Sequence, residues 1–266
     1  MIDIPWDPMI RIGPIALAWH GIFTAVGIFF GVWLSVRLLR GVLDEDDGYA
    51  IATWGVIYGI IGARLLHVAD QWSYYQEDPL KILQIWVGGI AIWGAVIGGI
   101  LGGTFVAIRR RAPIGRTADA AAAGLGLGLA LGRIGDLING EHHAIACVDL
   151  PWCVGYSFPR ELGGLGQPGP VHSATTYEMF IVLALVGVAL WLRRLAPRGV
   201  PYGFTFWVFL LGYGLTRYTV SFLRIDDPTP LLGLRQDQLV GIATTLTALP
   251  MLAFLSLRHV RRPRAG

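Results

Sequence analysis

Read for apolar and polar positions, the chain falls into seven apolar stretches joined by polar connections. They run over about residues 15–38, 49–70, 88–108, 117–138, 174–194, 201–223 and 237–257. Each is close to the twenty or so residues that an α-helix needs to cross the hydrocarbon of a bilayer. In lipid a backbone amide must find its partner within its own segment, which makes helix the expected form. The pattern therefore predicts an all-α polytopic membrane protein with seven transmembrane helices. The fourth stretch has its own character, because Ala118 to Leu131 is Ala, Gly and Leu apart from Asp119. Such small side chains place it inside the bundle, where neighbouring helices approach closely.

The connections add detail. Residues 1–14 are a Pro-rich lead-in, and Met1-Ile-Asp-Ile-Pro-Trp-Asp-Pro lacks the basic leader of a cleavable signal peptide. Residues 71–87 carry aromatics and Pro79 and predict an interfacial arm. Residues 139–173, rich in Gly and Pro, predict a small extracytoplasmic cap. Without a long linker, a low-complexity segment or an internal repeat, residues 1–266 read as a single domain.

Composition agrees with this class. The chain is 54% hydrophobic and 15% charged, where a soluble domain is nearer a quarter charged. Arginine sets the orientation. Alternate connections hold Arg37 and Arg40, then Arg109, Arg110, Arg111 and Arg116, then Arg193, Arg194 and Arg198, and last the tail with Arg258, Arg261, Arg262 and Arg264. The opposite side has only Arg11, Lys81, Arg160, Arg224 and Arg235. The N-terminus is accordingly expected outside and the C-terminus in the cytoplasm. The net charge of +3 is spread over loops and implies no nucleic-acid partner.

That orientation brings the polar residues within spans to one level. Arg64, Arg133 and Arg217 fall in the outer portions of outward-running helices, and His20 and Trp93 lie near the outer starts of inward-running ones. Ionisable groups are costly in lipid and are kept where they pair or handle something polar. The densest group is Gly132 to His143, which holds Arg133, Asp136, Asn139, Glu141, His142 and His143. Arg133 and Asp136, three residues apart, share a helix face. Guanidinium forks match phosphate oxygens, and at headgroup depth the abundant phosphate belongs to a phospholipid. A nearby carboxylate or imidazole is suited to proton transfer. Cys147 and Cys153, on the oxidising side, fit either a disulfide or two free thiols. Together with His142 and His143 they show no recognised zinc spacing, so no metal is expected.

Several segments resemble the prolipoprotein diacylglyceryl transferase family. Its signature, roughly G-R-x-G-N-F-x-N-G-E, stands here as Gly132-Arg-Ile-Gly-Asp-Leu-Ile-Asn-Gly-Glu141. Ala18-Trp-His-Gly21, Gly62-Ala-Arg64, Ile85-Trp-Val-Gly-Gly-Ile-Ala-Ile-Trp-Gly94, Gly214-Leu-Thr-Arg217 and Phe222-Leu-Arg224 resemble further family segments, in order along the chain. The resemblance implies a multi-pass enzyme of the bacterial cytoplasmic (inner) membrane. Its reaction passes the diacylglyceryl group of phosphatidylglycerol to the lipobox cysteine of a prolipoprotein, releasing glycerol phosphate without metal or soluble cofactor. It assigns the phosphate to Arg133 and Arg217, with Asn139 and Arg64 joining the binding set. Glu141 is the first expectation for the base, then Asp136, with His20 and His142 behind them.

The chain also departs from the family pattern. His20 stands where Tyr is common, Trp93 where His is frequent, Asp136 for a signature Asn, Ala144 for a Gly and Ser221 for a Glu, while His172-Ser-Ala-Thr-Thr-Tyr-Glu178 only loosely echoes a family block. The alternative is a non-catalytic phospholipid-binding or assembly protein of the same fold. A retinal photoreceptor needs a Schiff-base lysine within a span, and the only lysine, Lys81, lies in a connection. Neither G-x-S-x-G nor H-E-x-x-H, the motifs of two protease chemistries, is present.

Overall fold

The structure, a computed structural model, describes residues 1–13, 15–84, 89, 91–141, 143–158, 169–225, 229 and 232–261. It is mostly helical. The long helices are α1 (Trp19–Leu38), α2 (Glu45–Asp70), α4 (Ile92–Arg109), α5 (Ile114–Asn139), α6 (Ala174–Leu195), α7 (Phe204–Val220) and α8 (Gln236–Arg261), with a short α3 (Trp72–Tyr75). Five of them, α1, α2, α5, α6 and α8, are long and apolar enough to cross a membrane, whereas α4 and the 17-residue α7 are shorter. Large apolar side chains such as Phe29, Leu101, Phe180, Trp191 and Leu246 face outward. That arrangement suits lipid and would be costly in water. Together these features make the chain a polytopic membrane protein.

The sequence pattern led to an all-helical expectation, but among the described residues the structure adds four short strands. β1 (Ile2–Ile4) pairs in parallel with β4 (Val154–Tyr156), and β2 (Met9–Ile12) forms a hairpin with β3 (Ile15–Ala18). Strands of three or four residues are too short to leave a period-two signature.

Cα packing divides the chain into two compact units, residues 35–117 and residues 1–34 with 118–266. In the first, α2 packs along α4 through small residues. A Cβ on Gly62 would collide with the Gly94 carbonyl, and one on Gly98 with the Tyr58 carbonyl. Backbones this close replace side-chain interdigitation with direct main-chain contact. Glu45, Asp46 and Asp47 lie in the first turn of α2, where acidic groups oppose the helix dipole. Asp47 accepts from Arg110 at 2.7 Å, tying the start of α2 to the end of α4.

The second unit contains α5 to α8 and the start of α1. The Ala/Gly run of α5 works as the sequence suggests. A Cβ on Gly27 of α1 would stand 2.5 Å from the Gly128 carbonyl oxygen of α5, and one on Gly126 would meet Val186 and Phe209. Asp119 of α5 accepts from the backbone amides of Gly203 (2.8 Å) and Phe206 (2.9 Å), capping α7 from a neighbouring helix. The 139–173 connection is held by the Cys147–Cys153 disulfide and by bridges pairing Ala144 with Arg224 and Ala146 with Val171.

Candidate functional site

The site lies at one end of the second unit and begins with a glycine. Gly135 of α5 packs directly against the first turn of α1, where a Cβ would lie 2.6 Å from the His20 Cα. This approach brings the next residue, Asp136, to the His20 ring, and His20 Nδ1 is hydrogen-bonded to Asp136 Oδ1. The other carboxylate oxygen of Asp136 accepts from Arg133 Nη1 at 2.6 Å, an i to i+3 pair on the same helix face.

From Arg133 the network crosses to α6. Arg133 Nη2 donates to Glu178 at 2.7 Å. Arg217 of α7 donates to both Glu178 oxygens at 3.1 Å, and Arg224, beyond the end of α7, donates to Glu178 Oε2 at 3.3 Å. Asp237, in the first turn of α8, accepts from Arg217 Nη2 and pairs with Arg224 Nη1 at 2.7 Å. Three guanidiniums thus surround one carboxylate, with Asp136 and Asp237 balancing the remaining charge. Such buried pairs are held only when nearly every donor is used, because desolvation of each ion costs several kcal/mol.

The edge of this network is more open. Glu141 Oε1 accepts from Asn139 Nδ2 at 3.1 Å, and Glu141 Oε2 lies 3.9 Å from His20 Nδ1. Donor atoms of His20, Asp136 and Glu141 come within 4.8 Å of one another. Arg133 already holds Asp136, and a guanidinium there opposes a bound cation; His20 and Asp136 are hydrogen-bonded to each other, and Glu141 lies beside them. The carboxyl end of α5 is fixed by the Tyr156 hydroxyl, which donates to the Leu137 carbonyl at 2.9 Å. Burial pushes the Tyr156 phenol up to about 12, so it remains a donor at ordinary pH.

Among residues expected from sequence, the structure brings together His20, Arg133, Asp136, Asn139, Glu141 and Arg217. Arg64 belongs to the other unit. There it donates to the carbonyls of Ile82 (2.8 Å), Gly89 (2.7 Å), Gln84 (3.2 Å) and Lys81, and lies over the Tyr75 ring. The expectation for His142 falls outside the described residues, as does the Trp93 side chain. The sequence reading did not place Glu178, Arg224 or Asp237 in the site. Glu178 is a carboxylate inside an apolar span and ends the His172–Glu178 block that loosely echoes the family, the two signals that could have singled it out. Arg224 reads as a loop cation, yet it is 2% exposed.

Comparison with known proteins gives the family. The family model described as prolipoprotein diacylglyceryl transferase matches residues 8–254. The chain belongs to that family. Relatives carrying the name phosphatidylglycerol–prolipoprotein diacylglyceryl transferase include one from Thermus thermophilus, 34% identical over 97% of this chain and 98% of the relative. One from Trichormus variabilis is 36% identical over 97% and 92%, and one from Geobacter sulfurreducens is 34% identical over 96% and 97%. In this chain the signature stretch forms the last two turns of α5 and the residues after it, and it supplies four of the groups described above.

Proposed function

We propose that this chain transfers the diacylglyceryl group of phosphatidylglycerol to the thiol of a lipobox cysteine in a bacterial prolipoprotein, within the cytoplasmic (inner) membrane. Family membership and the names of its relatives support the transferase activity. The observation that carries the site is the convergence of Arg133, Arg217 and Arg224 on a single oxyanion, Glu178. Guanidiniums gathered in this way suit a phosphodiester, whose oxygens take the donors that Glu178 now holds. Arg133 and Arg217 would hold the phosphate and stabilise the charge that develops on the leaving glycerol phosphate.

Asn139 fits the headgroup. Among the described residues its Oδ1 is a buried acceptor without a hydrogen-bond partner, a state that costs about 1–3 kcal/mol. The hydroxyls of a glycerol headgroup are donors of the required kind. Arg64 has a supporting part in this reading, fixing the connection between α2 and α4 on which that end of the other unit depends. The reading keeps seven spans with the N-terminus outside, which puts the signature stretch at the outer leaflet. It calls for no metal or soluble cofactor.

The test is direct. Purified protein is incubated with phosphatidylglycerol and a lipobox peptide, and the peptide is weighed. A gain of one diacylglyceryl mass with release of glycerol phosphate is expected. An unmodified peptide, with the lipid still bound, would favour the non-catalytic binding protein.

A further inference from the structure

We infer that His20 and Asp136 act as a dyad in which His20 Nε2 accepts the proton of the attacking thiol and Asp136 positions the ring. This inference rests on the transferase reading above. Asp136 is held by Arg133, which keeps it an ionised, acceptor-only carboxylate. The His20 nitrogen facing it, Nδ1, must therefore carry the proton. That fixes the tautomer and leaves Nε2 as the basic nitrogen, the division of labour seen wherever a carboxylate orients a catalytic imidazole.

Exposure divides the pair in the same sense. The Asp136 side chain is 6% exposed and that of His20 is 49% exposed, so the carboxylate is shut in while the imidazole is open to an incoming group. The charged groups facing His20 are Asp136, Glu141 at 3.9 Å and, behind Asp136, Arg133. Glu141, by contrast, has one oxygen on Asn139 and no comparable orienting partner among the described residues.

The step balances as follows. The thiol S–H gives its proton to Nε2, and the sulfur pair forms the bond to the glyceryl carbon of phosphatidylglycerol. The bond from that carbon to the phosphate oxygen breaks, and its electron pair leaves on glycerol phosphate. The proton on His20 then passes to that phosphate or to water.

The test uses the full-length protein in phosphatidylglycerol vesicles with two lipobox peptides, one carrying cysteine and one selenocysteine, whose selenol is already ionised at neutral pH. With the cysteine peptide at pH 7, His20→Gln should be slowed by about 100-fold or more, in the range of lost general-base catalysis. Its rate should climb with pH towards the unaided thiol pKa of about 8.5, where the parent has levelled. The selenocysteine peptide should bring His20→Gln to within a few-fold of the parent and recover Asp136→Asn in the same way, whereas Glu141→Gln should gain nothing from it. If His20→Gln does not fold, His20→Phe carries the same test, because it keeps a ring but accepts no proton. A variant slowed equally at every pH and with both peptides, or one with parental rates, overturns the dyad alone. A parent that transfers to neither peptide overturns the function and the dyad with it.

Discussion

Glu178 of α6 and Arg224 beyond α7 lie 3.3 Å apart, and each side chain is only 2% exposed. Neither is in contact with solvent to any useful extent, so each depends on the other and on Arg133, Arg217 and Asp237. Glu178→Gln keeps the volume and removes the charge, leaving three guanidiniums against two carboxylates. Removing one partner of a buried ion pair costs about 3–5 kcal/mol. Thermal unfolding in detergent should show Glu178→Gln well below the parent, and Glu178→Gln combined with Arg224→Met should recover part of the loss.

Arg133→Lys and Arg217→Lys keep a positive charge but lose the planar fork that serves two acceptors at once. Each should lower the transfer rate by an amount equivalent to about 2–4 kcal/mol in the transition state. The variants should still insert and fold. Rates near the parent's in both would remove these arginines from the reaction.

Tyr156 gives a pH signature outside the spans. Its phenol is pushed up to about 12 by burial, against an ordinary value of about 10. The folded protein holds this proton while the unfolded chain releases it, so stability is full below about 10 and falls as pH rises towards 12. Tyr156→Phe removes that component and also the bond to Leu137. Melting temperatures measured from pH 8 to 11.5 should converge for parent and variant as pH increases.

At Gly135 space is the limit. Gly135→Ala puts a methyl 2.6 Å from the His20 Cα and 2.8 Å from the Trp19 carbonyl oxygen. Overpacking of this kind costs about 1–3 kcal/mol, and α1 must move away from α5. Transfer should fall by more than the melting temperature implies, because the His20 to Asp136 approach is lost first. Parallel rate and unfolding measurements check this.

Orientation is tested by single cysteines at positions 2 and 265. The natural pair is joined as a disulfide, so the introduced thiols are labelled selectively. An impermeant reagent should reach position 2 from outside and position 265 only from the cytoplasmic face. Labelling of both from one side would contradict an odd number of spans.

The helices were legible because a run of about twenty apolar residues has few other uses. The Ala/Gly stretch of α5 was legible as an interior helix for the same reason that glycines suit close helix contacts. Arg133 and Asp136 could be paired from spacing alone, since both lie on one element. Glu178 could not be placed so easily. It sits five residues into α6, where a lone acid resembles an interfacial charge, and its partners come from α5, α7 and the segment after α7. Asp237 looked like an ordinary first-turn acid, and Arg224 like an outer-loop cation. Such pairings are made between elements and leave no trace in a one-dimensional pattern. The strands were missed because three or four residues carry too little periodicity.

The parallel pairing of β1 with β4 sets an order of events during synthesis. Ile2 pairs with Val154 and Ile4 with Tyr156, so β1 must wait until β4 has been made before it has a partner. Closing so long a loop is slow compared with helix formation. The helices can therefore enter the bilayer as they emerge from the ribosome, while β1, only about fifteen residues ahead of His20, is secured afterwards. A newly inserted molecule should pass through an interval in which its helices are in place and β1 is still accessible to protease.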